Sequence, residues 1–332
     1  MKRKLIPVLL LLLVFLTGCG REKTLRGTVT ALGPEALVLR TAEGKEQAFQ
    51  LAEDTIAFSW VEGGSREDLE PGVEVSVTRR GFLSGITAPD GTRYSGYEAA
   101  QVAIEAIREG SPVLLEDGTP VWRWRRVNGD RFCLEDGMEL MWQDGSPVSL
   151  DSPQGSEEVN ERIARWADKR GLLYDPMAEL NRAYKAYRED PAAFQCFLVG
   201  QELFPSAAGE GVLYYCTSLT YPLGGREATH TQFSTAFDRE TGAELPVEDL
   251  FTCGEGELSA ILLTASGLGA PALLEELESA FRLEYLTFWP EGMEIFYPAG
   301  VLRDYETPFI LSVNPSVARS VLKPWAVPED WE

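Results

Sequence analysis

Cysteine, histidine and carboxylate side chains are where chemistry would sit, and this chain distributes them unevenly: five cysteines and one histidine against 52 Asp and Glu. Cys133, Cys196, Cys216 and Cys253 are widely spaced with no C-x-x-C pair, and His230 is the lone imidazole, so a cysteine–histidine zinc cluster is not expected. A nucleophile–base–orienter set is equally unsupported, because no serine or cysteine motif accompanies His230. Glu275, Glu276 and Glu278 are the carboxylates to consider for hydrolysis, yet they fall on the polar side of an amphipathic helical pattern, where solvation accounts for them. A glycosidase needs two carboxyl groups at a defined separation, one with a raised pKa. The expectation is therefore no catalytic residue, no metal, no cofactor and no enzyme, with a carboxylate-based hydrolase kept as the alternative. Cys196 and Cys216 sit in apolar, aromatic stretches that suit buried free thiols, a Cys196–Cys216 bond being the other reading.

The elements that would position such groups read as α+β. Residues 25–88 alternate short apolar runs with glycine and proline turns, such as Gly33-Pro34, Glu43-Gly44 and Pro71-Gly72, and predict a small β-barrel module. Phe58 and Trp60 are available for a ligand groove there, but a place in the core is the expectation. Residues 89–111 predict a linker and an amphipathic helix: Ser95 and Glu98 have capping-box spacing, and Tyr97, Ala100, Ile104 and Ile107 recur at helical intervals. Residues 112–325 predict an α+β domain, an antiparallel sheet packed by helices, and 326–332 a tail. It opens with a hairpin about Asn128-Gly129, in which Trp122 and Trp124 are expected inward and Arg123 and Arg125 outward, paired by local acids. Helices follow after Ser156 and after Asp175-Pro176, then strand-like runs 194–203, 212–221 and 228–237. The last run ends in the polar turn Asp238–Gly242, followed by a helix from Pro271, a hairpin about Pro290-Glu291-Gly292 and a strand 309–313.

The first residues carry an address. Lys2, Arg3 and Lys4 precede the apolar run Leu5–Phe15, and Leu16-Thr17-Gly18-Cys19 follows. The run is too short to span a bilayer comfortably, so it reads as a signal-peptide core. Its closing residues resemble the lipobox of bacterial lipoprotein signal peptides. That resemblance implies a signal peptide 1–18, lipidation of Cys19, a tether 19–24 and retention at the outer face of the cell membrane. Loss of 1–18 makes the formal charge of −22 more negative by three, since three basic residues leave and no acid does. Such an excess argues against nucleic acid as a partner and suits a basic one.

The stretch from about Val148 to Pro324 resembles the extracytoplasmic region of RsiV-type anti-sigma factors, which is shared with the non-catalytic part of some exported peptidoglycan deacetylases. The residues that carry the likeness include Val159-Asn160, Ile163, Tyr221, Gly224-Gly225, Asp238–Gly242, Leu250-Phe251, Trp289, Gly292, Phe296-Tyr297, Gly300 and Leu322. It departs from the family pattern at its histidine, since His230 comes several positions after the glycine pair. The resemblance implies a binding domain for lysozyme, a basic protein, or for a cell-wall component, and places binding near Tyr221, Gly224, Gly225, Asp238 and Gly242. It also implies neither an anti-sigma role nor deacetylase chemistry, because the sigma-binding and metal-site parts of the relatives are not found here. An accessory subunit of an envelope complex is the alternative function.

Overall fold

The computed structural model describes residues 23–61, 63–145, 149–222 and 228–331, and only the backbone of residues 221, 222, 228 and 229. The class is mixed α/β with strand dominant. Two compact units form, one from residues up to Val113 together with Trp122–Val127, the other from Leu114–Val121 with Asn128–Glu332.

In the first unit, β1 (Lys23–Leu32) pairs antiparallel with β2 (Ala36–Arg40) and β4 (Glu74–Thr87). β2 pairs with β3 (Glu46–Ser59), which runs parallel to β5 (Arg93–Arg108), and β5 pairs with β4. β2 is apolar at every position from Ala36 to Leu39 because it is covered on both faces. Leu37 and Leu39 meet Val29, Phe49, Val75, Val77 and Ile104, while Ala36 and Val38 meet Ala48, Ile86 and Ala88. The expected self-contained barrel ending at residue 88 is corrected, since β5 beyond it pairs at its far end with residues 124–126 of β7 (Pro120–Arg126).

The helix expected within 89–111 is not formed; its residues are β5. The helical spacing of Tyr97, Ile104 and Ile107 was real but outweighed, because the open edges of β3 and β4 offer a nonlocal ladder for every backbone group. Glu98, expected to cap, instead pairs with Arg80. Trp60 is likewise not a core residue: it is 54% exposed, edge-on to the half-buried Phe58 at 4.9 Å. Of the two arginines expected to meet acids, Arg123 lies 3.3 Å from Glu109, and its neighbour Arg126, not singled out from the sequence, lies 3.8 Å from Glu74. Trp122 and Trp124 are only half-buried, and the Arg108 guanidinium covers the Trp122 ring at 3.5 Å.

The second unit begins in the two-residue β6 (Val113–Leu114), then the hairpin β8 (Gly129–Cys133) and β9 (Glu139–Asp144). β9 runs parallel to β10 (Phe197–Ala208), so the sheet is not wholly antiparallel as expected. Antiparallel pairing continues through β11 (Val212–Pro222), β12 (Ala228–Asp238) and β13 (Glu244–Leu245). Helix α1 (Glu157–Arg170) starts where Ser156 Oγ accepts the Val159 N–H at 3.3 Å and stops at Gly171. Its stripe of Val159, Ile163 and Trp166 packs on Leu213, Tyr215 and Phe237. Helix α2 (Pro176–Glu189), capped by Asp175, buries Leu180 and Ala183 against Phe197, Val199, Leu140 and Met141.

The opposite face of β11 and β12 receives a three-stranded sheet, β14 (Leu286–Trp289), β15 (Gly292–Tyr297) and β16 (Phe309–Val313). Helices α3 (Glu255–Ala265), α4 (Pro271–Ala280) and α5 (Pro315–Val321) complete this core. Cys196 and Cys216 are both free thiols; Cys216 is buried as expected, which pushes its pKa up to about 12, whereas Cys196, also expected to be buried, is an exposed residue just before β10. Among the described residues, no helix is long and apolar enough to cross a membrane.

Where a tail 326–332 was expected, residues 326–331 are packed into the fold. Trp331 is 1% exposed, its ring stacks 6.4 Å from Phe288, and its indole N–H donates to the Trp289 carbonyl at 2.7 Å. Trp331→Ala should therefore cost about 3–5 kcal/mol, as for other buried aromatics truncated to alanine. Urea unfolding measures this, and a loss below about 1 kcal/mol would contradict the packing role.

Candidate functional site

Of the residues expected to mark binding, Asp238 and Gly242 bound a turn that is tied down on every side. The Asp238 carboxylate accepts from the Thr241 N–H and hydroxyl, each at 2.7 Å, and from the Glu240 N–H at 3.2 Å. These bonds, the Thr241 hydroxyl first, hold its pKa below the usual carboxylate range against a smaller desolvation effect. Gly242 has φ of +67° and lies against α1, where an added Cβ would stand 3.2 Å from both the Val159 carbonyl oxygen and Arg162 Cβ. Arg162 donates to the Thr241 carbonyl at 2.7 Å. Arg239 donates to the Gly209 carbonyl at 2.8 Å and pairs with Glu329. The turn thus buckles α1, the β10–β11 connection and the C-terminal segment together. Tyr221 lies on β11 opposite Thr229 of β12, and its side chain is outside what the structure describes. Gly224, Gly225 and Cys19 lie outside the described residues.

A concavity of about 200 Å³ lies where the end of α1 meets β10 and β11, lined by Leu150, Trp166, Arg170, Gln201, Leu203 and Thr217 among others. Trp166 is fixed by its indole N–H on Glu244 at 2.8 Å and by an edge contact with Phe237 at 4.9 Å. The Arg170 guanidinium sits 4.8 Å from the Trp166 ring and 5.3 Å from the Phe233 ring. Burial lowers its pKa while Glu244 opposes that, and the group stays charged. Gln201 is spent on the helix end, donating to the Gly171 carbonyl at 3.0 Å and accepting from the Leu173 N–H at 2.8 Å. The Thr217 hydroxyl is buried without a partner among the described residues. The hollow brings together one cation, one hydroxyl and apolar walls, and it contains neither a nucleophile–base pair nor facing carboxylates. Sequence reasoning missed it, since Arg170 reads as a helix-dipole complement and Thr217 as one more strand residue.

The chemistry-bearing residues named from the sequence are scattered. Glu275 and Glu278 are exposed on α4, whereas Glu276 accepts the Arg303 backbone N–H at 2.5 Å. His230 is half-buried on β12, with Nδ1 3.4 Å from Ser218 Oγ and its ring 5.6 Å from Phe296; burial lowers its pKa and Glu202 opposes. Among the described residues, no cluster of histidine, cysteine and carboxylate is arranged to hold a metal.

Charge is the feature with the clearest spatial bias. Residues 240–332 carry 17 Asp and Glu against four Lys and Arg. Most of these acids are exposed, among them Glu248, Asp249, Glu255, Glu257, Asp304 and Glu306. Glu255 and Glu257 occupy the first turn of α3, where the helix dipole favours them. This strongly negative stretch shares one core with β14–β16, so its charges are mounted on a rigid support.

No family model matches the chain, and no curated protein matches it. Among solved structures, a DUF3298 family protein from Pseudomonas aeruginosa PAO1 is 16% identical with a TM-score of 0.33, the match covering 60% of this chain and 85% of that one. A member of the DUF3298 family from Bacteroides fragilis NCTC 9343 is 12% identical with a TM-score of 0.40, covering 69% of this chain and 96% of that one.

The turn yields a paired prediction. Gly242→Ala should destabilise the chain by about 1–2 kcal/mol through strained φ and the close approach of α1, measured by urea unfolding. Asp238→Ala should destabilise it at neutral pH, and the gap from wild type should close as pH falls through the lowered folded pKa, since a depressed carboxylate stabilises only above its unfolded value. A gap unchanged between pH 7 and pH 2.5 would contradict the assigned hydrogen bonds.

Proposed function

We propose that this chain is a lipid-anchored binding protein at the outer face of the bacterial cell membrane. Its second unit would take a basic protein, such as lysozyme, or a cell-wall component. The observation that carries this reading is the exposed acidity of residues 240–332, which suits a cationic partner by long-range steering and by complementarity at contact. The resemblance of residues 148–324 to the extracytoplasmic domain of RsiV-type anti-sigma factors supports the choice of lysozyme, and the lipobox-like Leu16-Thr17-Gly18-Cys19 supports the anchor.

Asp238 and Gly242 are not where we place recognition, because their bonding capacity is engaged in the turn. Exposed carboxylates on α3 and α4 are better placed, being held by a buried core while facing solvent.

Binding of the purified mature chain to lysozyme across a salt series tests this. Association should weaken about tenfold or more between roughly 50 and 300 mM salt, because screened surface charges dominate the encounter. Glu275→Lys with Glu278→Lys should weaken binding at low salt by about fivefold, mainly through the association rate. No measurable association at low salt would sink the lysozyme form of the proposal.

A further inference from the structure

The β4–β5 ladder contains an insertion that the proposed anchoring gives a use. Arg80 pairs with Glu98 and Ser84 with Gly96, so Gly81, Phe82 and Leu83 stand against the single residue Tyr97. Gly81 has φ of +72°, which lets the strand turn outward there. The two apolar residues so lifted are Phe82, 94% exposed, and Leu83, 60% exposed. Scattered exposed apolar side chains are ordinary on a protein surface. An adjacent pair on an outward bulge, flanked by the exposed Gly81, Ser84 and Gly85, is a different arrangement.

Where the chain enters the fold decides what meets that pair. Lys23, the first described residue, lies opposite Arg79 of β4, three residues before Phe82. Cys19 is four residues before Lys23, a reach of at most about 14 Å for a fully extended chain. Three residues along a strand span about 10 Å. If Cys19 carries lipid, the acyl chains enter the bilayer within that reach of the N-terminal end of β1, the end beyond which β4 runs on into the bulge. The two arginines nearest the bulge are engaged within the fold: the Arg79 guanidinium lies 3.9 Å from the centre of the Tyr97 ring, and Arg80 pairs with Asp54 and Glu98, while Lys23 is exposed. The bulge itself offers apolar side chains, Phe82 and Leu83, and neither Arg79 nor Arg80 is free to add a cation to that contact.

We propose that Phe82 and Leu83 insert into the lipid surface beside the anchor and fix the orientation of the first unit on the membrane. This deepens the anchoring reading and rests on it. The occupant is the bilayer itself, chosen because the tether is too short to hold the bulge far from it. An apolar wedge of two side chains adds orientation to an anchor that already supplies affinity.

The test uses the full mature chain with Cys19→Ser, so that no lipid masks the contact, and phosphatidylcholine vesicles. Wild-type sequence at the bulge should co-sediment weakly with vesicles, and Phe82→Ser or Leu83→Ser should reduce the partition coefficient by about tenfold, with unfolding midpoints unchanged because both side chains are exposed. Vesicles enriched in phosphatidylglycerol should bind no more than about twofold better, since the contact is not cationic. Absence of partition, or equal partition of the variants, overturns the proposal. So does self-association that Phe82→Ser abolishes, which would assign the pair to a second copy of the chain. The anchoring reading is tested separately by feeding a labelled fatty acid to cells making the full chain. Label absent from Cys19 overturns that reading and this one with it, whereas label present with no vesicle effect overturns this one alone.

Discussion

Burial of β11 on both faces is the constraint on which the second unit depends. Val212, Leu213, Tyr214, Tyr215 and Cys216 are each 0% exposed, so successive side chains must be accepted by two different cores. Tyr214 stacks on Phe288 at 4.1 Å and donates to the Ala326 carbonyl at 2.5 Å, which draws in the three-stranded sheet and the C-terminal segment. Tyr215 turns the other way, meets Phe237 edge-on at 5.4 Å and donates to the Leu150 carbonyl at 2.7 Å, beneath α1. A large aromatic with a buried hydroxyl is tolerated only where that hydroxyl finds an acceptor, and both do. One strand therefore specifies what lies above and below it.

That double burial also explains the location of the Asp238–Gly242 turn and the nearby hollow. β12 is clamped to β11 along its length, so the turn leaving it must meet the N-terminal part of α1, and only a glycine with positive φ allows the helix so close. The hollow forms at the other end of the same helix, where α1 stops at Gly171 and Gln201 bonds the backbone left open there. The sequence motif that stands out most by eye is thus a fastening, and the acid-rich elements lie on the opposite face of β11 and β12.

Local signals were legible wherever the physics is local. Ser156 and Asp175 cap the helices they were expected to cap, and at the expected Asn128-Gly129 turn Gly129 takes a φ of +117°. Misreadings arose where nonlocal pairing decides. Residues 93–108 have apolar spacing compatible with a helix, but two open strand edges claimed their backbone. Trp60 looked like core by residue type, and its exposure depends on where β3 ends. Trp331 looked like tail by position, and its burial depends on a surface that only the assembled β14–β16 sheet presents. Of the site, charge was readable from composition; its concentration on α3, α4 and the segments around them required the fold. Arg170 and Thr217 carried no sequence signal, because a hollow made by a helix end over a sheet has no period and no motif.

In the proposed function, acidic elements of the second unit, held by a two-faced core, meet a basic partner. Hydrogen exchange of residues 19–332 with and without lysozyme at low salt decides this, because protection reports both the contact and its location. The expected result is slowed exchange confined to residues 240–332, above all in α3, α4 and residues 300–306, with β10–β12 unchanged because they are already protected. Protection confined to the first unit, or no change within 240–332, would contradict the claim.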